Sequence, residues 1–290
     1  MANSIRLIPR LDIKGPNLVK GIHLEGLRVL GKPETFARYY YESGADEMMY
    51  VDVVASLYNR NSLHDIVTRT AKEIFIPLTV AGGIRTLEDI RTVLRAGADK
   101  VSLNTAAIAS PDIIREASRK FGSSTVVVTI EAIKQTDGRY LAYTDNGREF
   151  TGKEVLQWAK HVEELGAGEI VITSVDREGT GSGYDIELTR MVAEAVSIPV
   201  IAHGGAGCLE DIQSVIRDGK ADAVAIASAL HYEVISNIEM KGDYRKEGNI
   251  EFLKSGRLFS KITRLTLPEI KDFLSGQNIL CRYNLSQHSL

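Results

Sequence analysis

Two acidic residues, Asp12 in Leu11-Asp12-Ile13-Lys14 and Glu131 in Ile130-Glu131-Ala132-Ile133-Lys134, each stand at the end of a short apolar run. Two carboxylates can move protons both ways, one accepting while the other donates, when their surroundings separate their pKa values. Two glycine pairs, Gly82-Gly83 and Gly204-Gly205, follow two further apolar runs. Glycine lets the backbone come close to a ligand and present its N–H groups. Each pair precedes a run that ends in polar residues, Ser102-Leu103-Asn104-Thr105 in one case and Ala227-Ser228 in the other. Hydroxyls, backbone N–H groups and helix N-termini are what proteins use to hold phosphate. Taken singly, these features also read as solvated acids and tight turns. Their recurrence as a set points instead to one ligand with a phosphate at each end. A polar, glycine-rich stretch at 174–185 is too long for a simple connection and reads as a mobile binding loop, with Asp176, Gly179 and Thr180 as contacts.

The elements that must carry these residues alternate in type. Strands are expected at Arg6–Ile13, Glu47–Val53, Pro77–Ala81, Lys100–Leu103, Thr125–Glu131, Glu169–Thr173, Pro199–Ala202 and Ala223–Ile226, with amphipathic helical stretches between them. Runs such as Val126-Val127-Val128-Thr129-Ile130 are apolar almost throughout, as suits parallel strands covered on both faces. An internal repeat decides how they are arranged. The segment Pro77-Leu78-Thr79-Val80-Ala81-Gly82-Gly83 returns as Pro199-Val200-Ile201-Ala202-His203-Gly204-Gly205, and Leu87-Glu88-Asp89-Ile90 returns as Leu209-Glu210-Asp211-Ile212. Each unit spans four strands, so two units make eight. Two equal halves closing on each other imply a (β/α)₈ barrel, whereas an open doubly wound sheet has no need of the symmetry. In such a barrel Asp12 and Glu131 face each other across the mouth at the carboxyl ends of the strands.

Composition agrees with one barrel. The chain has 290 residues, 44% of them hydrophobic, with a net charge of −3, so nothing in its balance favours nucleic acid. No apolar run reaches the ~20 residues of a membrane helix. Cys208 and Cys281 have neither a disulfide framework nor metal-ligand spacing. A cytoplasmic protein without metal or cofactor is expected.

The stretches Arg6–Lys14, Asp46–Asp52, Ala98–Ala107, Phe121-Gly122-Ser123, Gly166-Ala167-Gly168-Glu169 and Asp176–Asp185 resemble the cyclase subunit of imidazole glycerol phosphate synthase. The resemblance runs from Ile5 to about Tyr232 and resumes weakly near Leu267–Leu285. The aminoaldose isomerases of histidine synthesis share the repeat but fit the Asn104–Ala107 and Asp176–Asp185 segments less well. The resemblance implies that Asp12 and Glu131 are the catalytic pair. It implies phosphate and substrate contacts at Lys20, Gly82, Gly83, Asn104, Thr105, Asp176, Gly179, Thr180, His203, Gly204, Gly205 and Ser228. It also implies that a glutaminase docks at the amino-terminal face, helped by Asp99, and that ammonia enters through a charged ring of Arg6, Glu47, Lys100 and Glu169.

Four departures from that family stand out. Glu131 replaces an aspartate, Arg10 replaces a cysteine two residues before Asp12, and His203 replaces a small serine. A cation beside Asp12 is expected to lower its pKa. The fourth is an insertion at about 234–264, read as a lid or docking element in the last βα loop. Because the changes cluster on the catalytic face, the leading expectation is a paralogue that still handles ammonia but passes it to a separate amidotransferase. That partner would convert an acetamido sugar to an acetamidino sugar for surface polysaccharide. The competing expectations are an authentic cyclase and an isomerase of the sister family.

Overall fold

The computed structural model describes residues 4–55, 63–237 and 261–283. Its strands are β1 (Arg6–Lys14), β2 (Asn17–Ile22), β3 (Glu25–Gly31), β4 (Met48–Asp52), β5 (Leu78–Ala81), β6 (Lys100–Leu103), β7 (Val126–Lys134), β8 (Tyr140–Thr144), β9 (Glu149–Glu154), β10 (Glu169–Ser174), β11 (Val200–His203) and β12 (Ala223–Ile226). Eight of them pair in parallel in the order β1-β4-β5-β6-β7-β10-β11-β12. Pairing of β12 with β1 closes the sheet into a barrel. Helices lie between successive barrel strands, as a (β/α)₈ barrel requires.

The two halves match in a way the sequence repeat did not announce. β1 and β7 are both longer than expected, and each runs past the barrel rim into an antiparallel hairpin, β2–β3 and β8–β9 respectively. These hairpin strands lie outside the expected set, which follows near-continuous apolar runs, whereas Asn17–Ile22, Glu25–Gly31 and Glu149–Glu154 carry charged and polar residues among their apolar ones. Of the insertion expected at 234–264, only the ends are described: the helix Ser228–Asn237 and the chain from Lys261 onward. The rest lies outside the described residues.

One clamp recurs where helices return to the barrel bottom. Asp46, Asp99 and Asp222 each accept a hydrogen bond from an N–H at the start of a neighbouring strand, at Leu7 (2.8 Å), Leu78 (2.8 Å) and Val200 (2.9 Å). Each aspartate's own N–H donates back to the same residue's carbonyl. Gly168 takes the corresponding place before β10, where a side chain would strike the Ser123 carbonyl. Asp99 therefore has a structural duty whatever else it touches.

Alternation along each strand sends every second side chain to the barrel axis. Arg6, Glu47, Lys100 and Glu169 form the lowest layer. Ile8, Met49, Ala81, Val127, Val171, Ile201, Ala223 and Ala225 form an apolar layer above it. Arg10, Thr129, Thr173 and His203 follow towards the mouth, with Asp12 and Glu131 one step further along β1 and β7.

The glycine pairs are required by backbone packing. A Cβ on Gly82 (φ 96°) would collide with the Asp52 carbonyl, and one on Gly204 (φ 97°) would lie 2.7 Å from the Ser174 carbonyl. Asp52 and Ser174 end β4 and β10, the strands paired beside β5 and β11, so the two halves share this contact as well. Gly82→Ala and Gly204→Ala should each destabilise the fold by roughly 1–3 kcal/mol, from positive φ plus overlap. Urea denaturation checks this; an unchanged midpoint in either variant would show that the close approach is not a constraint.

Candidate functional site at the barrel mouth

A cavity of about 450 Å³ opens at the carboxyl ends of the strands. Its lining includes Gly82, Gly83, Asn104, Thr105 and Glu131, five residues singled out from sequence, together with Arg10. Gly82 and Gly83 reach it from the turn after β5, while Asn104 and Thr105 come from the junction of β6 with the short helix Thr105–Ala109. Ser102, two residues beyond Lys100 on β6, and Thr129 on β7 line the cavity with their hydroxyl oxygens 2.7 Å apart. Asn146, on the turn of the β8–β9 hairpin, closes one side and donates to the Val53 carbonyl at 2.8 Å.

Asp12 and Glu131 sit on opposite strands of the barrel, but in unlike surroundings. Burial pushes the Glu131 carboxyl up to about 7, against the opposing pull of the Gly147 N–H (2.8 Å), the Arg10 charge and the Asn104 side chain. A carboxyl titrating there can take or give a proton near neutrality. Asp12 is enclosed: its Oδ1 accepts from Arg10 Nε at 2.9 Å and its Oδ2 lies 3.5 Å from Lys20 Nζ. Burial alone would raise its pKa, but those two cations outweigh it and hold the carboxyl far below the ordinary range. This is the direction expected from a cation beside Asp12.

The Arg10 guanidinium bridges further, with Nη1 3.0 Å from His203 Nδ1. An arginine only donates, so Nδ1 accepts and the ring proton sits on Nε2. Burial and the Arg10 charge hold His203 neutral, well below its usual pKa. Thr173 Oγ1 lies 3.2 Å from the same nitrogen. On the far side, His231 Nε2 donates to the Arg10 carbonyl (3.0 Å) and the Tyr40 hydroxyl bonds to His231 Nδ1 (2.6 Å). Burial lowers the His231 pKa to about 3, so this ring too is neutral and fixes the strand that carries Arg10.

The remaining sequence candidates do not line this cavity. Lys20 is buried and pairs with Glu178 as well as Asp12. Asp176 accepts from the Lys134 N–H at 2.9 Å, and Thr180 Oγ1 donates to the Arg177 carbonyl at 2.7 Å. Gly179 packs against Gly21 and Ile22. The 174–185 loop, expected to be mobile, is instead fastened to the β2–β3 hairpin: Glu178 accepts from the His23 N–H through its carbonyl and from the Leu24 N–H through its carboxylate, and Gly183 N–H donates to the Gly205 carbonyl. Glycines and short polar side chains in sequence resemble a mobile segment; the buried Lys20–Glu178 pair is what overrides that. Glu178 and His231 were missed as candidates, because their partners are 158 and 191 residues away in sequence. Gly204 and Gly205 follow the end of β11 and Ser228 follows the end of β12.

At the opposite end the four charges implied as a ring do meet. Arg6 Nη1 is 2.7 Å from Glu47 and 2.8 Å from Glu169, and Lys100 Nζ is 3.0 Å from Glu47 and 3.1 Å from Glu169. Each cation touches both anions, so no member is left uncompensated.

The fold and site define a half-barrel repeat protein with a polar mouth cavity, an apolar middle and a charged floor. Comparison with known proteins agrees with that class. The family of histidine biosynthesis proteins matches residues 6–236. An imidazole glycerol phosphate synthase subunit HisF of Legionella pneumophila is 56% identical over 209 residues, covering 72% of this chain and 99% of that protein. Subunits of the same name from Prochlorococcus marinus (strain MIT 9312) and Alkaliphilus metalliredigens (strain QYMF) are 51% and 47% identical, over 82% and 81% of this chain. The chain belongs to the imidazole glycerol phosphate synthase subunit HisF family.

Glu131 also makes stability depend on pH. Its pKa is higher in the fold than in the unfolded chain, so its contribution is fully present below about 4.5 and is lost as pH rises through about 7. Glu131→Gln, which mimics the protonated form, should gain over wild type by roughly 1–3 kcal/mol between about pH 5 and about pH 8. Thermal melts at both pH values measure it; a constant difference would mean that Glu131 titrates normally.

Proposed function

We propose that this chain is the ammonia-accepting, cyclase-type subunit of a glutamine-dependent complex. A glutaminase docks at the strand-start face, and ammonia crosses the barrel to meet a bisphosphorylated ribonucleotide at the mouth. The products are imidazole glycerol phosphate and AICAR. The observation that carries this reading is the alignment of three layers on one axis: the closed Arg6–Glu47–Lys100–Glu169 ring, the apolar layer, and the Ser102–Thr129 hydroxyl pair under the Glu131 cavity. The relatives bearing the synthase subunit's name support it. Phe75 (79% exposed) and Leu280 (57% exposed) lie at the ring end, where a partner would cover them.

A second reading keeps the glutaminase but sends ammonia to a sugar amidotransferase for surface polysaccharide. It is favoured by one observation, that both oxygens of Asp12 are taken up by Arg10 and Lys20. Turnover of the ribonucleotide with ammonium salt at alkaline pH separates the two. Formation of imidazole glycerol phosphate is expected; folded protein that binds the ribonucleotide without converting it would favour the sugar pathway.

Lys100→Met tests the route itself. Losing a charged hydrogen-bonding group costs ~1.5–3 kcal/mol, so glutamine-driven turnover should fall roughly ten- to a hundredfold. Ammonium-driven turnover, which reaches the mouth from solvent, should fall much less. Equal losses in both assays would remove the ring from the route.

A further inference from the structure

Arg10 is where this site departs most from a pair of carboxylates. A guanidinium has five N–H donors. Arg10 uses one on Asp12 and one on His203, and both contacts hold it from the sides. No hydrogen bond of its Nη2 group is found among the described residues, and Arg10 lines the cavity together with Glu131. Asp12 does not line that cavity, and each of its oxygens already faces a cation. Of the described, mutually bonded group Arg10, Asp12, Lys20 and His203, Arg10 is the member that lines the cavity and so can reach a ligand there.

We propose that Arg10 is the residue that meets the ammonia acceptor, donating to the oxygen of its reacting carbonyl, and that Asp12 acts through Arg10 as a positioning residue. The acceptor class is a phosphorylated carbonyl compound, with its phosphate at Gly82-Gly83 and Asn104-Thr105 and its carbonyl between Arg10 and Glu131. Ammonia nitrogen bonds to the carbonyl carbon while the π pair moves onto the oxygen held by Arg10. The Glu131 carboxylate takes one proton from that nitrogen and returns it to the oxygen. The product is a neutral carbinolamine, and no other reactant is needed. One carboxyl that cycles a proton and one fixed cation that stabilises the oxyanion suffice for this addition. The inference rests on the reading that an acceptor binds in the mouth, and it assigns the two acids unequal roles.

The test is ammonium-driven turnover of the bisphosphorylated ribonucleotide across pH, with calorimetric binding of the same compound, for wild type, Arg10→Met, Arg10→Lys, Asp12→Asn and Glu131→Gln. Removing an oxyanion donor typically costs about a hundred- to a thousandfold in kcat, and Arg10→Met should show that loss. Arg10→Lys, lacking the fork that spans Asp12 and His203, should recover little. Asparagine still accepts from Arg10 Nε, so Asp12→Asn should lose about tenfold or less and keep every limb of the pH profile. Abolished turnover with loss of one limb in Asp12→Asn, or near-normal kcat in Arg10→Met, would overturn the proposal. Melting temperatures control for folding: Arg10→Met leaves Asp12 with Lys20, and Arg10→Lys serves if the methionine variant fails to fold. Should wild type bind the ribonucleotide without turnover, the cyclase reading fails by itself and Arg10 is judged on affinity. At least tenfold weaker binding by Arg10→Met is then expected, an arginine contact to a ligand oxygen being worth ~1.5–3 kcal/mol. Unchanged affinity, or no binding by wild type, overturns the proposal.

Discussion

Closure of the sheet by pairing β12 with β1 is the constraint on which the rest of this molecule depends. In a closed barrel every second residue of every strand must share one narrow axis. Side chains from strands distant in sequence therefore become neighbours at the same height. The charged floor, the apolar middle and the polar mouth are three such heights. A shift of one residue in any strand would turn its inward set outward and break all three at once. The aspartate clamps at Leu7, Leu78 and Val200 hold that register where the strands begin.

Both ends of the axis bury charge, and they do so differently. At the floor, two cations and two anions alternate so that each touches both partners, and the set is neutral as a whole. At the mouth, Arg10, Asp12, Lys20 and Glu178 form a chain in which Asp12 lies between two cations and Lys20 between two anions. Charges removed from water are tolerable only when compensated in this way. The chain ends on Glu178, inside the 174–185 loop. The same electrostatics that enclose Asp12 thus fasten that loop to the β2–β3 hairpin.

The backbone is nearly twofold, yet its chemistry is not. β1 and β7 extend into matching hairpins, and Gly82 and Gly204 make matching close approaches. On one side the acid is ion-paired and held ionised; on the other it is buried with a pKa near 7. A symmetric frame with unequal occupants separates two carboxyl pKa values widely, which is the condition for giving them separate duties.

The sequence by itself determined the architecture. The four-strand repeat and the apolar runs led to eight barrel strands, mostly within a residue of their observed bounds, and to Asp12 and Glu131 at opposite sides of one mouth. Those features are local or periodic, so they are visible along a single chain. The glycine pairs were legible as special positions too, although their close approach to Asp52 and Ser174 was not. What only the tertiary structure decided is which polar groups spend their hydrogen-bonding capacity on each other. Arg10 with His203, Lys20 with Glu178 and Tyr40 with His231 are pairs joined across more than 150 residues of chain. No periodicity encodes such partners, because they are set by where closure brings strands together. That is why Lys20, Asp176 and Thr180 looked like ligand contacts in sequence and are engaged within the protein in the fold. It is also why Arg10, which in sequence only perturbed its neighbour, both holds Asp12 and lines the cavity that Asp12 does not.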